Sequence, residues 1–176
     1  MKITLKDGVV KEYESALSVL DIAKSISEGL ARNACAGKVN GEVVDLRHIV
    51  DADCDVEILT FNDEEGRLAF RHTAAHVMAQ AVKRLYPETK LAIGPAIDNG
   101  FYYDFDSEKN FTTEDLAAIE AEMRKICKEK LKLERFELPR AEAIKFMEEK
   151  EEPYKVELIN DLPEDAIISF YKQGEF

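Results

Sequence analysis

The sequence predicts an α+β fold with two segments, each of which combines helices with antiparallel strands. Two hairpin signals, Asp7-Gly8 and Asn40-Gly41, divide short runs in which apolar and polar residues alternate. Between these signals the apolar residues recur at helical spacing. This order indicates a small mixed sheet with one helix lying across one of its faces.

The first segment is predicted to span residues 1–61. One helix is expected to run from Ser18 to Asn33, because Ser18 and Asp21 have the spacing of a capping box and apolar residues follow at helical intervals. The predicted strands of this segment are Ile3–Leu5, Val9–Tyr13, two short runs around Asn40-Gly41, and Val56–Thr60.

The second segment is predicted to span residues 62–176, after a polar FNDEEG cluster with turn chemistry and no apolar face. It opens with a helix from about Glu65 to Tyr86, which Pro87 ends. The apolar residues of this helix predict a buried stripe made of Phe70, Ala74, Val77, Met78, Ala81 and Leu85.

Several shorter elements are predicted after this helix. Two strands flank Asp98-Asn99-Gly100, a strong hairpin signal, and Thr112 or Thr113 caps the next helix. The remaining elements are a strand at Leu133–Leu138, a helix that follows Pro139 and runs through Met147, a strand at Ile167–Tyr171 and a turn at Gln173-Gly174. Because the sequence stops just after that turn, we expect the segment to be truncated at its carboxyl end.

Composition narrows the class of protein. An apolar content of 45% supports a folded core, and no apolar run is long enough to predict a membrane span. The first residues lack the apolar stretch of a secretory signal, so we expect a cytoplasmic protein. The 24 basic and 36 acidic residues give a net charge of −12, which argues against binding nucleic acid over a large surface. The three cysteines have none of the spacings of zinc or redox motifs.

His72 and His76 are the first candidates for chemistry. Four residues apart on the predicted helix, they lie one above the other, where two imidazoles can act on one group. A helical wheel places both roughly opposite the apolar stripe, on the solvent side or in a cleft. The spacing also fits two surface histidines, or half of a zinc site. No further ligand is evident, and Thr73 stands where a zinc protease has glutamate, so we expect no metal.

Two further features have two interpretations each. In FYYDFD the aromatic residues alternate with others, which fits either a buried aromatic face or a tyrosine hydroxyl that lines a pocket. The run from Arg124 to Arg135 holds six basic and two acidic residues. It is either a solvated helix end that the helix dipole favours, or a track for phosphates. The candidate phosphate contacts are Arg124, Lys125, Lys128 and Lys130.

These motifs resemble those of a known family. The stretch RHTAAHVMAQAVKRLYPETKLAIGPAIDNGFYYDFD is similar to the editing-domain signature of bacterial threonyl-tRNA synthetases. The stretch from MKITLKDG to VEILTF is similar to TGS, a small ubiquitin-like (β-grasp) domain that opens those enzymes. Alanyl-tRNA synthetases and their free-standing editing relatives share the histidine and NGFYYD pattern, so the order of the two domains makes the match specific.

The resemblance implies a function. In that family the parent enzyme attaches threonine to tRNA(Thr) with ATP, and its editing domain hydrolyses serine that has been joined to this tRNA by mistake. Residue by residue, it implies that His72, His76 and Lys155 are catalytic, the last within Tyr154-Lys155-Val156. The predicted substrate-binding residues are Tyr103, Asp98, Asn99 and Gly100.

The resemblance also implies what this chain lacks. The family pattern continues with a Cys-x-Gly-Pro-His motif, and no residue here matches its cysteine and histidine. We therefore expect an amino-terminal fragment with an incomplete editing site, monomeric and weakly active at most, without cofactors of its own. ATP, zinc, magnesium and the homodimer contact would belong to the parent. The alternatives are a non-catalytic tRNA-binding module and a zinc-dependent editing domain of the alanyl type.

Overall fold

The computed structural model describes all 176 residues, which form two compact units. Unit 1 comprises residues 1–72 and 96–99, and unit 2 comprises residues 73–95 and 100–176. The chain mixes helices with mostly antiparallel strands, which confirms the predicted α+β class. The boundary predicted between residues 61 and 62 stays a prediction.

Unit 1 is built on a five-stranded sheet. Its elements are β1 (Lys2–Leu5), β2 (Val10–Glu12), β3 (Leu17–Ser18), α1 (Val19–Ile26), α2 (Glu28–Asn33), β4 (Ala34–Val39), β5 (Glu42–Val44), β6 (Ile49–Val50) and β7 (Cys54–Thr60). The sheet has the order β2-β1-β7-β4-β5, in which β1 and β7 are parallel and the other pairs antiparallel.

Both predicted hairpins of unit 1 are confirmed. β1 pairs with β2 across Asp7-Gly8, and β4 pairs with β5 across Asn40-Gly41. Asn40 has a φ of 48° and Gly41 a φ of 88°. Positive φ at both central residues defines the type I′ hairpin turn, whose twist matches that of the flanking strands.

The helix predicted from Ser18 to Asn33 is two helices. Ser18 caps α1 as predicted, with its hydroxyl oxygen accepting from the Asp21 amide at 3.0 Å. Ser27 then takes an extended conformation and accepts a hydrogen bond from the Leu30 amide, also at 3.0 Å, which starts α2. The prediction of one helix was wrong because a second serine with N-cap chemistry interrupts the apolar pattern.

The core of unit 1 lies between α1 and the sheet. It consists of Ile3, Val19, Ile22, Val50 and Val56, all almost fully buried. A Cβ placed on Gly37 would lie 2.5 Å from Cγ1 of Val19. The approach of α1 to β4 therefore requires glycine at residue 37.

Unit 2 combines helices with short strands. Helix α3 (Glu64–Leu85) begins in unit 1 and ends in unit 2. The elements after it are β8 (Lys90–Leu91), β9 (Ala96–Ile97, in unit 1), β10 (Gly100–Phe101), β11 (Phe105–Asp106), α4 (Thr113–Glu129), β12 (Leu133–Leu138), α5 (Arg140–Glu149), α6 (Pro153–Asp161) and β13 (Ile168–Gln173). Within unit 2, β8 pairs with β11 and β12 pairs with β13, both antiparallel.

The apolar stripe predicted for α3 is partly wrong. Val77 and Ala81 are buried as predicted and pack with Ile119 and Ile126 of α4. Phe70 and Leu85, however, are 53% and 37% exposed. The additional buried residues of the helix are Ala75, Ala79, Gln80 and Val82. A second core cluster of unit 2 consists of Ala143, Met147, Ile159 and Ile168.

Asp115 fixes the start of α4. It forms a capping box with Thr112, and its carboxylate also accepts hydrogen bonds from Lys109 at 2.6 Å and from the Tyr86 hydroxyl at 2.7 Å. The ammonium of Lys109, followed by the Thr112 amide and the Tyr86 hydroxyl, holds the pKa of Asp115 well below its ordinary value of 3.8. The ionised form is therefore the one that stabilises the fold.

We expect acid to remove this contribution. Because the folded-state pKa is lowered, the contribution is complete above the ordinary pKa of 3.8 and is lost as the pH falls through the folded value. Asp115→Asn should lower the free energy of unfolding at pH 7, and the gap to the wild type should narrow in acid. Urea unfolding at several pH values measures this, and a gap that stays constant down to pH 2 would contradict it.

Candidate active site

Lys155 lies in the first turn of α6. Pro153 occupies the first position of that helix, where its missing N–H and fixed φ cost nothing, and the Lys155 amide donates to the Glu152 carbonyl at 3.1 Å. The Lys155 ammonium donates to the Ala92 carbonyl at 2.8 Å and to the Tyr103 hydroxyl at 3.3 Å. Burial lowers the pKa of Lys155, and the negative charge of Glu152 opposes that change. The structure thus holds a desolvated cation in a fixed place.

Tyr103 is the partner of this ammonium. Its ring stacks on Phe105, with centroids 4.8 Å apart and planes at 14°. A Cβ on Gly94 would lie 2.1 Å from Cδ2 of Tyr103, so the ring rests directly on the Gly94 backbone. Burial raises the pKa of Tyr103 to about 12. The hydroxyl therefore stays protonated at neutral pH and acts as a hydrogen-bond donor or acceptor, not as a base.

The FYYDFD alternation combines both of its interpretations. Phe101, Tyr103 and Phe105 are half-buried, whereas the residues between them are exposed. Phe105 joins the core cluster around α4, while the hydroxyl of Tyr103 reaches Lys155. Alternate residues of this segment thus serve the core and the candidate site together, although Tyr103 itself lies between β10 and β11.

Glu152 is a residue that the sequence analysis missed. It is 6% exposed, and its carboxylate accepts from the Leu91 amide at 2.9 Å and pairs with Lys83 at 2.8 Å. Its place at the end of an acidic run predicts a surface residue. The available signal was Pro153, since a proline at the first helical position would have placed Glu152 at the helix start.

The other predicted site residues are distributed over both units. His76 on α3 is half-buried and, with Gly100 at the start of β10, belongs to unit 2. His72 is exposed and, with Asp98 and Asn99, belongs to unit 1. The structure brings Lys155 and Tyr103 together. The roles assigned to the remaining residues stay predictions.

Arg71 holds the turn that contains two of these residues. Within unit 1 its guanidinium donates to the Ile97 carbonyl at 3.1 Å and to the Asp98 carbonyl. Its carbon Cζ also lies 6.0 Å from the centroid of the Phe61 ring. No sequence pattern assigns a role to Arg71, although it directly precedes His72.

The predicted tRNA contacts lie at the end of α4. All four side chains, Arg124, Lys125, Lys128 and Lys130, are exposed. Arg124 pairs with Glu120 at 2.6 Å, and Lys125 lies 3.6 Å from Glu122. Lys130 ends the helix in the left-handed conformation, with a φ of 51°. These pairs fit a solvated helix end, and the phosphate-binding role stays a prediction.

The structure has neither a cluster of metal-ligand side chains nor a membrane-spanning helix. No group of three or more histidine, cysteine, aspartate or glutamate side chains is arranged to hold a metal ion. None of the helices is both long and apolar enough to cross a membrane.

One family model matches the amino-terminal part of the chain. Residues 1–60 match the model of the TGS domain, as the resemblance implies. Over all 176 residues it is 65% identical to the threonine--tRNA ligase of Clostridioides difficile, 66% to that of Acetivibrio thermocellus and 64% to that of Clostridium acetobutylicum. The chain is therefore homologous to the amino-terminal region of threonine--tRNA ligases. It spans 28% of the length of these relatives.

Proposed function

We propose that this chain is the editing region of a threonine--tRNA ligase and takes part in hydrolysing serine from Ser-tRNA(Thr). In this proposal the parent protein joins threonine to tRNA(Thr) with ATP. ATP, zinc, magnesium and the dimer contact serve parts of the parent outside this chain. The observation that carries the hydrolase role is the half-buried ammonium of Lys155 beside the Tyr103 hydroxyl.

Hydrolysis of an aminoacyl ester needs a positioned water, a proton acceptor and a donor for the oxyanion. An ammonium has three N–H donors. Lys155 uses two of them on the Ala92 carbonyl and the Tyr103 oxygen, which leaves one for the developing oxyanion. In a desolvated place such a hydrogen bond is stronger than in water, so Lys155 suits this role.

The histidines are proposed to move the proton. The ordinary pKa of imidazole lies near neutrality, so it can accept a proton from water and return it to the leaving hydroxyl. His76 is half-buried on α3, where its surroundings exclude part of the solvent. The role of His72 and His76 in catalysis rests on the family resemblance.

An editing site of this kind has to exclude threonine while it admits serine. Threonine has one methyl group more than serine, and a synthetic site gains only about 1–3 kcal/mol by binding that methyl. It therefore accepts serine too often. An editing pocket too small for the methyl rejects threonine by steric conflict, so correctly charged tRNA survives.

The test is release of serine from Ser-tRNA(Thr). We expect a protein extended to the length of the relatives to release serine rapidly, and the 176-residue chain to do so weakly. His76→Ala should slow the extended protein by about 100-fold or more, the usual weight of acid–base catalysis. His48→Ala is the matched control, because His48 is an exposed histidine of unit 1.

The outcomes separate the alternatives. If the extended protein binds tRNA(Thr) and leaves Ser-tRNA(Thr) intact, the chain is a binding module and the hydrolase proposal is wrong. If the purified 176-residue chain retains one equivalent of zinc and a chelator abolishes its weak serine release, the alanyl-type mechanism replaces the one proposed.

A further inference from the structure

Glu152 connects the two parts of the chain that hold Lys155. Its side chain does not cap α6. Instead, Oε2 accepts the Leu91 amide at 2.9 Å, and Oε1 lies 2.8 Å from the Lys83 ammonium. A carboxylate this deeply buried is stable only if it is paired and hydrogen-bonded, and these two contacts meet that requirement.

The contacts of Glu152 fix the chain at both ends of the Lys155 side chain. The Glu152 carbonyl accepts from the Lys155 amide at 3.1 Å, which fixes the lysine backbone. Its carboxylate fixes Leu91, and the carbonyl of the next residue, Ala92, accepts from the Lys155 ammonium at 2.8 Å. The same glutamate therefore holds both the Lys155 backbone and the Ala92 carbonyl oxygen that accepts from the Lys155 ammonium.

Lys83 completes the arrangement from α3. Its ammonium also donates to the carbonyls of Pro87 at 2.9 Å and Thr89 at 3.0 Å, so its three donors are used by Glu152 and these two oxygens. Lys83 thus balances the Glu152 charge while tying the helix end to the chain that leads into β8. Of these two ammonium groups, only that of Lys155 keeps an N–H donor for a ligand, because it contacts just two oxygens, both of them neutral.

We propose that Glu152 is a positioning residue for Lys155, through its contacts with Leu91 and Lys83, in the ester hydrolysis described above. This inference rests on the proposed function. Glu152 itself touches no substrate. It sets the place and the charge state of the ammonium that does.

The charge of Glu152 also bears on the protonation of Lys155. Burial lowers the pKa of Lys155, and the negative charge of Glu152 offsets part of that decrease. The charged or titratable neighbours in this part of unit 2 are Lys83, Lys90, Tyr103, Glu151 and Glu152, with Asp106 bound to Tyr154 nearby. Removing the Glu152 charge leaves Lys83 uncompensated, so the pKa of Lys155 should fall further.

The experiment compares Glu152→Gln with the wild type and with Glu148→Gln, a control at an exposed glutamate of α5. Glutamine keeps an oxygen for the Leu91 amide but loses the ion pair with Lys83, so we expect the variant to fold with a lower free energy of unfolding, which urea unfolding checks before the titration. The chain is labelled with 13C at Cε of lysine, and Lys155→Arg assigns the Lys155 signal. We expect its pKa to be lower in Glu152→Gln and unchanged in Glu148→Gln.

The same variants are then measured in the extended protein. We expect Glu152→Gln to lower kcat for serine release by about tenfold or more with little change in KM, and to shift the pH–rate profile toward acid. A Lys155 pKa and a profile that match the wild type would overturn the positioning role even if the protein hydrolyses Ser-tRNA(Thr). If the wild type is inactive, the proposed function fails, while the NMR titration still decides the role of Glu152.

Discussion

Lys155→Met should remove most of the serine release and leave the fold about as stable as the wild type. Methionine has nearly the length of lysine without its charge. The substitution ends the desolvation cost of the half-buried ammonium, but it leaves the Ala92 carbonyl without its 2.8 Å donor. These effects oppose each other, so we expect the free energy of unfolding to change by no more than about 1 kcal/mol.

The catalytic effect of Lys155→Met has no such compensation. Without the ammonium, the oxyanion loses a preorganised donor, which typically costs about 100-fold or more in rate. Urea unfolding and single-turnover serine release in the extended protein measure the two quantities. Lys172→Met, at an exposed lysine of β13, is the control that should change neither. A Lys155→Met protein that hydrolyses Ser-tRNA(Thr) at the wild-type rate would exclude Lys155 from the reaction.

Gly94→Ala should displace the Tyr103 ring. The added Cβ would lie 2.1, 2.5 and 2.8 Å from ring atoms Cδ2, Cε2 and Cγ, closer than nonbonded atoms approach. The ring is also stacked on Phe105, and its hydroxyl accepts a hydrogen bond from Lys155. It therefore cannot move away without breaking those contacts. Overpacking of this kind costs about 1–3 kcal/mol of stability, and we expect serine release to fall as well.

Gly29→Ala is the control for this steric argument. Gly29 lies in α2, and the only atom within 4 Å of a Cβ built on it is the Ser27 hydroxyl oxygen at 3.8 Å, an ordinary van der Waals contact. This variant should therefore keep its activity and lose no stability. Thermal unfolding and serine release of the two variants decide the point. Equal behaviour of Gly94→Ala and Gly29→Ala would show that the close contact of the Tyr103 ring with residue 94 is not needed.

Local sequence chemistry was sufficient for the turns and caps. Asn40-Gly41, Ser18 and Thr112 occupy their predicted places because each acts through backbone angles or hydrogen bonds within a few residues. The α+β class followed from the order of such signals, whereas the TGS domain was inferred from the family resemblance. In the candidate site, the resemblance suggested Lys155 and Tyr103 separately, and their contact is seen only in the structure.

The errors come from contacts that are distant in sequence or from competing local signals. Ser27 broke a predicted helix because its cap is as strong as that of Ser18. Helix α6 was not predicted, since PYKVELIND lacks a regular apolar face and has only Pro153 as a start signal. Glu152 is buried only because Leu91, sixty-one residues away, and Lys83 meet it. Contacts between residues so far apart in the sequence produce no periodic pattern from which they could be predicted.

The charge of −12 bears on the proposed binding of tRNA(Thr). Two cations of the basic run, Arg124 and Lys125, pair with carboxylates of their own helix, so the run has a weaker positive field than its number of cations suggests. We expect the 176-residue chain to bind tRNA(Thr) weakly and with strong dependence on salt, because phosphate contacts release counterions. Only the reacting end of the tRNA needs to enter the site for hydrolysis.

The proposal that this site edits is tested most directly by its choice between two esters. Ser-tRNA(Thr) and Thr-tRNA(Thr) are incubated in turn with the extended protein, and release of the labelled amino acid is followed under single-turnover conditions. The account predicts rapid release of serine and at least about 100-fold slower release of threonine, since steric exclusion of the methyl group sets the difference. Equal rates for the two esters, or no release of serine while the tRNA stays bound, would contradict it.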